Sequence, residues 1–297
     1  SQLFVAGPPV VERGLGKSVD KNTLGGSHIH AHISGAVDNE VASEEEAFKV
    51  IGDFLAFLPS SVYELPPVVR NEDSVDRRDE ALLSVIPRDR REMYEVREIV
   101  TSVVDGGSFF EINPDYGRSL VTGLARLAGH PVGIMANDTH FFGGAVDASA
   151  AEKMMRFVDL CDTFHIPMVN LVDNPGFLIG VSAEEAGTVR LGSRALMACY
   201  QASIPWVSVI MRRCYGVAGA GHSNSDGLNL RYAWPSADWG SLPIEGGVQA
   251  AYRREIESSQ NPVQKRKELE DMLEQYRSPF RTAEAFGIEE IIDPRAT

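Results

Sequence analysis

Met168-Val169-Asn170-Leu171-Val172-Asp173-Asn174-Pro175-Gly176 and Trp206-Val207-Ser208-Val209-Ile210 decide the fold. Each opens as a short apolar run of strand length, and the first ends in a cluster of turn residues. Between them, residues 183–201 read as a helix opened by Ser182-Ala183-Glu184-Glu185, the spacing of a capping box. Strand, long helix and strand make a βαβ unit, so strands 168–172 and 206–210 are predicted to lie side by side and parallel. Working outward, Val132–Ala136 reads as a strand. Residues 150–164 read as a helix begun by Ser149-Ala150-Ala151-Glu152, 94–104 as a helix, 109–112 as a strand and 119–128 as a short helix. Downstream, a strand near 232–240, a helix at 244–257 and a charged helix at 262–276 complete an α/β pattern. Residues 43–58 carry period-3.6 apolar positions behind Ser43 and an acidic first turn, a further helix. Residues 1–36, rich in Gly and Pro, read as loops with one or two short strands. Pro59, Pro66, Pro67 and Pro87 amid mixed charge mark a linker.

A chain of 297 residues holds one large or two small domains. Its composition, 43% hydrophobic and 24% charged, excludes disordered and collagen-like classes. A net charge of −14 repels polyanions, so no nucleic-acid partner is expected. No apolar run approaches a membrane span. Cys161, Cys199 and Cys214 form no CxxC, which fits a reducing compartment: the cytoplasm, or the mitochondrial matrix if a transit peptide has been removed.

In such a sheet, ligands sit where strands end and helices begin. Two junctions qualify: Asp173-Asn174-Pro175-Gly176-Phe177 and Tyr215-Gly216-Val217-Ala218-Gly219-Ala220-Gly221-His222. Small residues there let a ligand approach free backbone amides, which stabilise an oxyanion; equally, they permit tight turns and close packing. The second loop lacks the Gly-Lys-Ser/Thr of a phosphate loop. His28, His30 and His32 alternate, so a strand would present all three on one face. That face is a possible metal site, with Asp38 and Glu40 the only nearby carboxylates at ligand spacing; the preferred reading is surface or subunit-contact residues, and no metal site is assigned. Arg212-Arg213 reads as a salt-bridged strand end or as a contact for an anion. No nucleophile elbow and no HExxH occur, so any catalysis would rest on backbone donors.

The order of these motifs resembles the carboxyltransferase (beta) subunits of biotin-dependent acyl-CoA carboxylases, the propionyl-CoA carboxylase group. Gly25-Gly26-Ser27 through His30 and Ser34-Gly35, then Phe54-Leu55 and Leu58-Pro59, are similar to the end of that family's N-terminal domain. Ser102-Val103-Val104-Asp105, Phe109-Phe110-Glu111, Phe157 to Pro167, Asp173 to Gly180, Arg213 to Ala218, Ala233-Trp234-Pro235 and Ile292-Asp293-Pro294-Arg295 follow its C-terminal domain in order.

The resemblance implies a crotonase-like fold, a spiral of ββα units. It divides the chain into a tail of an N-terminal carboxyltransferase domain at 1–60, a linker at 61–92 and a carboxybiotin-binding domain at 93–297. The bulk of the N-domain is missing from this pattern, as in a fragment, half of a split subunit or a diverged protein. The implied activity moves CO2 from carboxybiotin, borne on a separate biotin carboxyl carrier protein with its biotin carboxylase, to the α-carbon of an acyl-CoA. Val217 and Ala218 match the family's oxyanion-hole pair, with Val in place of Gly. Tyr215, Gly216, Gly219, Gly176 and Phe177 match cofactor-contacting positions, and Ala220 a position of acyl-chain choice. The implied assembly is a hexamer, or a hetero-oligomer with an N-domain chain. A decarboxylase, a transcarboxylase or a non-catalytic assembly subunit stays open as an alternative.

Overall fold

The computed structural model of the chain describes residues 1–224, 227–241 and 243–297; the side chains of Ala220 and Glu245 are also outside that description. Residues 1–36 contain helices where loops were expected: α1 (Pro8–Leu15), α2 (Lys21–Gly25) and a π-helical turn at Ile29–Ile33. Their signals are local and too brief for a periodicity. Pro8 occupies the first helical position of α1, and the Asp20 carboxylate accepts the Asn22 and Thr23 amides at the start of α2. Helix α3 (Glu44–Leu55) begins as read, with Ser43 accepting the Glu46 amide and three glutamates in the first turn. Residues 61–92 hold one short 3-10 turn, Glu80–Leu83. They lie along the body, with Leu82 buried and the Val69 amide donating to the Gly129 carbonyl at 3.0 Å.

Helix α4 (Val96–Val103) leads into an antiparallel run of β1 (Phe110–Ile112), β2 (Leu120–Leu127) and β3 (His130–Asn137). The helix expected at 119–128 is therefore a strand. Its first six residues are buried, so the alternation that marks a half-exposed strand is absent. Gly123 fits that pairing: a Cβ there would fall 2.5 Å from the Phe110 carbonyl oxygen on β1. From β3 onward the sheet is parallel. Helix α5 (Ala148–Thr163) leads to β4 (Met168–Asn174), then α6 (Val181–Glu185) and α7 (Thr188–Gln201) to β5 (Trp206–Tyr215). After α8 (Gly216–Ala220), strands β6 (Asn229–Ala233) and β7 (Asp238–Gly240) share β5 end to end. The chain closes with α9 (Ile244–Ala251), α10 (Arg253–Glu257), α11 (Pro262–Glu274), α12 (Pro279–Glu284) and β8 (Glu290–Ile291). The spatial order is β1-β2-β3-β4-β5-β6-β8.

Strands β4 and β5 are adjacent and parallel, as the βαβ reading requires. The single helix read at 183–201 is two, because Gly187 adopts φ 79° between α6 and α7. The capping residue of α5 is also displaced from its reading. Asp147 accepts the Ala150 amide, while Ser149 donates to Asp147 and Glu152 accepts the Tyr116 hydroxyl. Apolar side chains fill both faces. Phe157, Cys161, Cys199 and Trp206 pack on one face, with Phe54 and Leu58 from the α3 segment against them. Val96, Ile99 and Val100 pack with Val209, Met211 and Trp234 on the other. Cys214 belongs to a third cluster, with Val172 and Ile210. All three cysteines are free and buried; burial pushes Cys199 and Cys214 up to about 12 and Cys161 higher still.

The cap assignment predicts that Asp147→Ala lowers stability by about 1–2 kcal/mol in urea unfolding. Ser149→Ala, which removes no cap, should lower it by clearly less. Equal losses would return the cap to Ser149.

Candidate active site

Strands β4 and β5 pair from Met168↔Trp206 to Val172↔Ile210, slip, and pair again at Asn174↔Cys214. Opposite the single residue Asp173 stand three residues of β5, Met211 to Arg213. The slip sets two arginines against one carboxylate. Asp173 is fully buried. Its Oδ2 accepts from Arg212 Nε at 2.9 Å and from the Tyr94 hydroxyl at 2.9 Å. Its Oδ1 accepts the Arg213 amide at 3.0 Å and Arg213 Nε at 2.7 Å. Burial opposes the Arg213 charge, but Asp173 outweighs it and holds the guanidinium above its usual range. Burial, then the Asp173 charge, pushes the Tyr94 hydroxyl far up, so it stays a donor. Of the two readings of Arg212-Arg213, the salt-bridged strand end is the one realised. Arg213 Nη2 also donates to the Gly143 carbonyl at 2.7 Å, bracing a turn in which Gly143 and Gly144 both have positive φ.

The two candidate loops leave this braced rung together. A Cβ on Gly176, at φ 121°, would lie 3.8 Å from the Tyr215 carbonyl oxygen. The Gly176 amide donates to Asn174 Oδ1 at 2.9 Å, and the Gly176 carbonyl accepts the Val146 amide, forming a bridge between Phe177 and Val146. Phe177 packs against the core. Beyond β5, residues 216–220 form α8 rather than an open loop, with Tyr215 as an N-cap that makes no side-chain capping bond. First-turn amides of a helix have no intrahelical acceptor, and those of Val217 and Ala218 have no capping side chain either. The positive φ at this turn belongs to Gly216, at 60°. Val217 lies in the helix and is 67% exposed, so Val in place of Gly carries no backbone strain here. Ala218 is buried. Gly219 is required for packing, because a Cβ would come 2.7 Å from the Cys214 carbonyl carbon. The side chain of Ala220, the expected acyl-choice position, lies outside the described residues.

A second buried ionic cluster supports Tyr215, and the sequence reading missed it. The Tyr215 hydroxyl donates to Asp238 Oδ2 at 2.5 Å. Arg277 donates to both Asp238 oxygens and to the Tyr215 oxygen. The one sequence cue is an Asp in an apolar strand, and its arginine partner lies 39 residues away.

The histidines are arranged differently from the strand reading. On the π-helical turn, His28 and His32 share a face, with ring centroids 4.2 Å apart. His30 turns away, bonded to Ser34 Oγ at 2.9 Å and to the Leu3 carbonyl at 2.5 Å. Below α3, a cavity of about 560 Å³ is lined by Ile51, Phe54, Phe110, Asn113 and Lys153. Lys153 is buried and donates to the Asn113 and Tyr116 carbonyls; burial lowers its pKa from 10.5 to about 7.

A profile of the carboxyl transferase domain matches residues 1–297, and the chain belongs to that family, with its crotonase-like α/β fold. The chain is 35% identical over its full length to the propionyl-CoA carboxylase carboxyltransferase subunit of Haloferax mediterranei, covering 58% of it. It is 32% identical to the methylmalonyl-CoA decarboxylase subunit alpha of Veillonella parvula, covering 57% of that protein. The crystal structure of transcarboxylase 12S, described as a hexamer with methylmalonyl-CoA bound, superposes on 99% of this chain with a TM-score of 0.93 at 32% identity, over 57% of its own length. The chain thus spans little more than half the length of these relatives.

The buried charges yield two predictions. Asp173→Asn leaves two buried guanidiniums short of a counter-charge and should cost about 3–5 kcal/mol in denaturant unfolding; a loss under about 1 kcal/mol would mean the cluster is not holding the rung. Lys153 is neutral in the fold above pH ~7 but charged in the unfolded chain up to pH ~10.5, so the unfolded state binds the extra proton between them. Stability therefore rises with pH across that window by up to about 1.4 kcal/mol per unit. The gain should be absent in Lys153→Met, compared by urea unfolding at pH 7, 8 and 9.

Proposed function

We propose that the chain is the carboxybiotin-binding part of a carboxyltransferase that moves CO2 from carboxybiotin to the α-carbon of an acyl-CoA. The observation that carries the reading is the uncapped first turn of α8, standing on the rigid rung Asn174↔Cys214. Its residues fit a planar ureido group. Exposed Gly216 leaves the backbone approachable, Gly219 lets the turn pack down on Cys214, Ala218 is small, and the Val217 side chain is turned to solvent. When bound, carboxybiotin supplies the carboxyl group and a ureido nitrogen able to accept the α-proton. In this reading the Val217 and Ala218 amides donate to the ureido oxygen and stabilise the negative charge that develops there. They do so as preorganised dipoles, with no reorganisation at the moment of reaction. Tyr215 and Gly216 set the height and direction of the turn through the Asp238–Arg277 cluster beneath it. Gly176, its amide engaged by Asn174, and Phe177 follow β4 beside the Tyr215 carbonyl, and in this reading contact the biotin from there. Ala220 stands where acyl choice would be read.

The same reading assigns residues 1–60 to the tail of an N-terminal domain and 93–297 to the carboxybiotin domain, joined through 61–92. It makes the chain's partners an acyl-CoA, a biotin carboxyl carrier protein with its carboxylase, and an N-domain belonging to the same or another chain. Ile179, Val181, Val189 and Val217, in and beside α6, α7 and α8, are exposed apolar residues, which supports assembly into a hexamer of the kind described for transcarboxylase 12S. Three free cysteines are in keeping with the cytoplasm. No helix among the described residues is long and apolar enough to cross a membrane.

The test is carboxyl exchange. With an N-domain polypeptide present, the chain should move label from methylmalonyl-CoA to free biotin. Ala218→Leu should slow exchange by about 100-fold or more, in a protein whose circular dichroism shows it still folded at the assay temperature despite a lowered thermal midpoint. Full activity in a folded Ala218→Leu protein would remove the amides from the mechanism, and no exchange by the unmodified pair would leave an assembly subunit.

A further inference from the structure

The carboxyl-transfer reading makes no use of the cluster built around His28 and His32. Four residues apart on a helical turn, they bring their rings together at 35° to one another. Glu40 returns from the following turn and places Oε2 3.1 Å from His32 Nε2. One ligand atom from each of His28, His32 and Glu40 lies within 4.8 Å of the other two. Asp115, from the loop between β1 and β2, adds an oxygen 3.8 Å from the same His32 nitrogen. The other Glu40 oxygen accepts the Ser27 hydroxyl. That bond leaves Oε2 as the oxygen that faces His32. His30, lying between the two in sequence, is excluded from the cluster by its bonds to Ser34 and Leu3.

We propose that His28, His32 and Glu40, with Asp115 as fourth ligand, form a site for a divalent transition-metal ion of the zinc type. Two imidazoles and two carboxylates are a borderline nitrogen–oxygen donor set that suits Zn2+. Ligand atoms around tetrahedral zinc sit about 3.3 Å apart, given bonds of about 2.0–2.1 Å. The His32–Glu40 pair already has that spacing, and the exposed His28 ring turns through the remainder. Ser27 acts as the outer partner that orients a ligating carboxylate. The ion would fasten residues 27–40 to the loop carrying Asp115, a link between the N-terminal segment and the antiparallel end of the sheet. The three thiols, all buried, do not compete for it.

The experiment is calorimetric titration of the tag-free, chelator-treated chain with Zn2+ alone. Expected are one ion per chain, a roughly micromolar or tighter Kd, and a rise in thermal midpoint on binding. Co2+ in place of Zn2+ should give the visible bands of a four-coordinate ion. His28→Ala and Glu40→Gln should weaken binding at least 10-fold, and Ser27→Ala by about 10-fold. His130→Ala, an exposed histidine on β3, should leave it unchanged. These positions are at the surface or half-buried, and the metal-free thermal midpoint of each variant verifies folding. Absence of saturable binding below about 1 mM, or equal affinity in folded His28→Ala and Glu40→Gln, would overturn the site.

Discussion

One buried carboxylate, Asp173, organises the functional end of this sheet. Two arginines and a tyrosine from outside its own strand converge on it. A lone charge in that position would be prohibitively destabilising, so the slip between β4 and β5 and the placement of both guanidiniums form a single unit. Through Arg213 the unit extends to the Gly143–Gly144 turn, and through Tyr94 to the segment entering α4. The two loops that leave the rung inherit its rigidity. In the proposed carboxyl-transfer reading that rigidity matters, since backbone amides work as donors only if the peptide planes carrying them do not turn.

The second cluster, Tyr215–Asp238–Arg277, braces the site in the same way just beyond the rung. It joins β5 to β7 and to the segment after α11, so the turn into α8 is held from below by residues far apart in sequence. Between the clusters, Gly216 takes the left-handed conformation and Val217 can be an ordinary helical residue. The family pattern has Gly at that position. The geometry explains why a branched side chain is accommodated: it points to solvent and asks nothing unusual of the backbone.

Much of this architecture was legible from residue pattern. Strands 168–172 and 206–210 stood out as short apolar runs, the first ended by turn residues, and their pairing followed from the helical length between them; the second runs on to Tyr215, through Arg212 and Arg213 whose charge hides its strand character. Segment 119–128 was misread because burial of both faces erases the period of two, leaving a Leu- and Ala-containing run that mimics a helix. The two capping boxes failed for a simpler reason: each helix starts before its serine, α5 behind the Asp147 cap and α6 behind Gly180 with no side-chain cap. The ion clusters were invisible because Asp173 and Asp238 meet partners some 40 residues away, and nothing local announces such a meeting. The histidine trio shows how far a wrong element misleads. A strand would have put all three on one face, whereas the helical turn pairs the outer two and diverts the middle one. The roles of Val217, Ala218 and Ala220 came from resemblance; spacing alone identified small residues after a strand and no more.

The placement of the three cysteines has a practical side. Cys161 and Cys199 share the core between α5 and α7, and Cys214 lies beneath the α8 turn. With burial holding each thiol in its protonated form, a modifying reagent reaches one only when the surrounding structure opens. The chain therefore carries its own clocks. Labelling of Cys214 times the breathing of the loop that bears the proposed amide donors, and labelling of Cys161 and Cys199 times the separation of the two central helices. Comparing these rates would tell whether the functional end of the sheet loosens by itself or only when the whole core gives way.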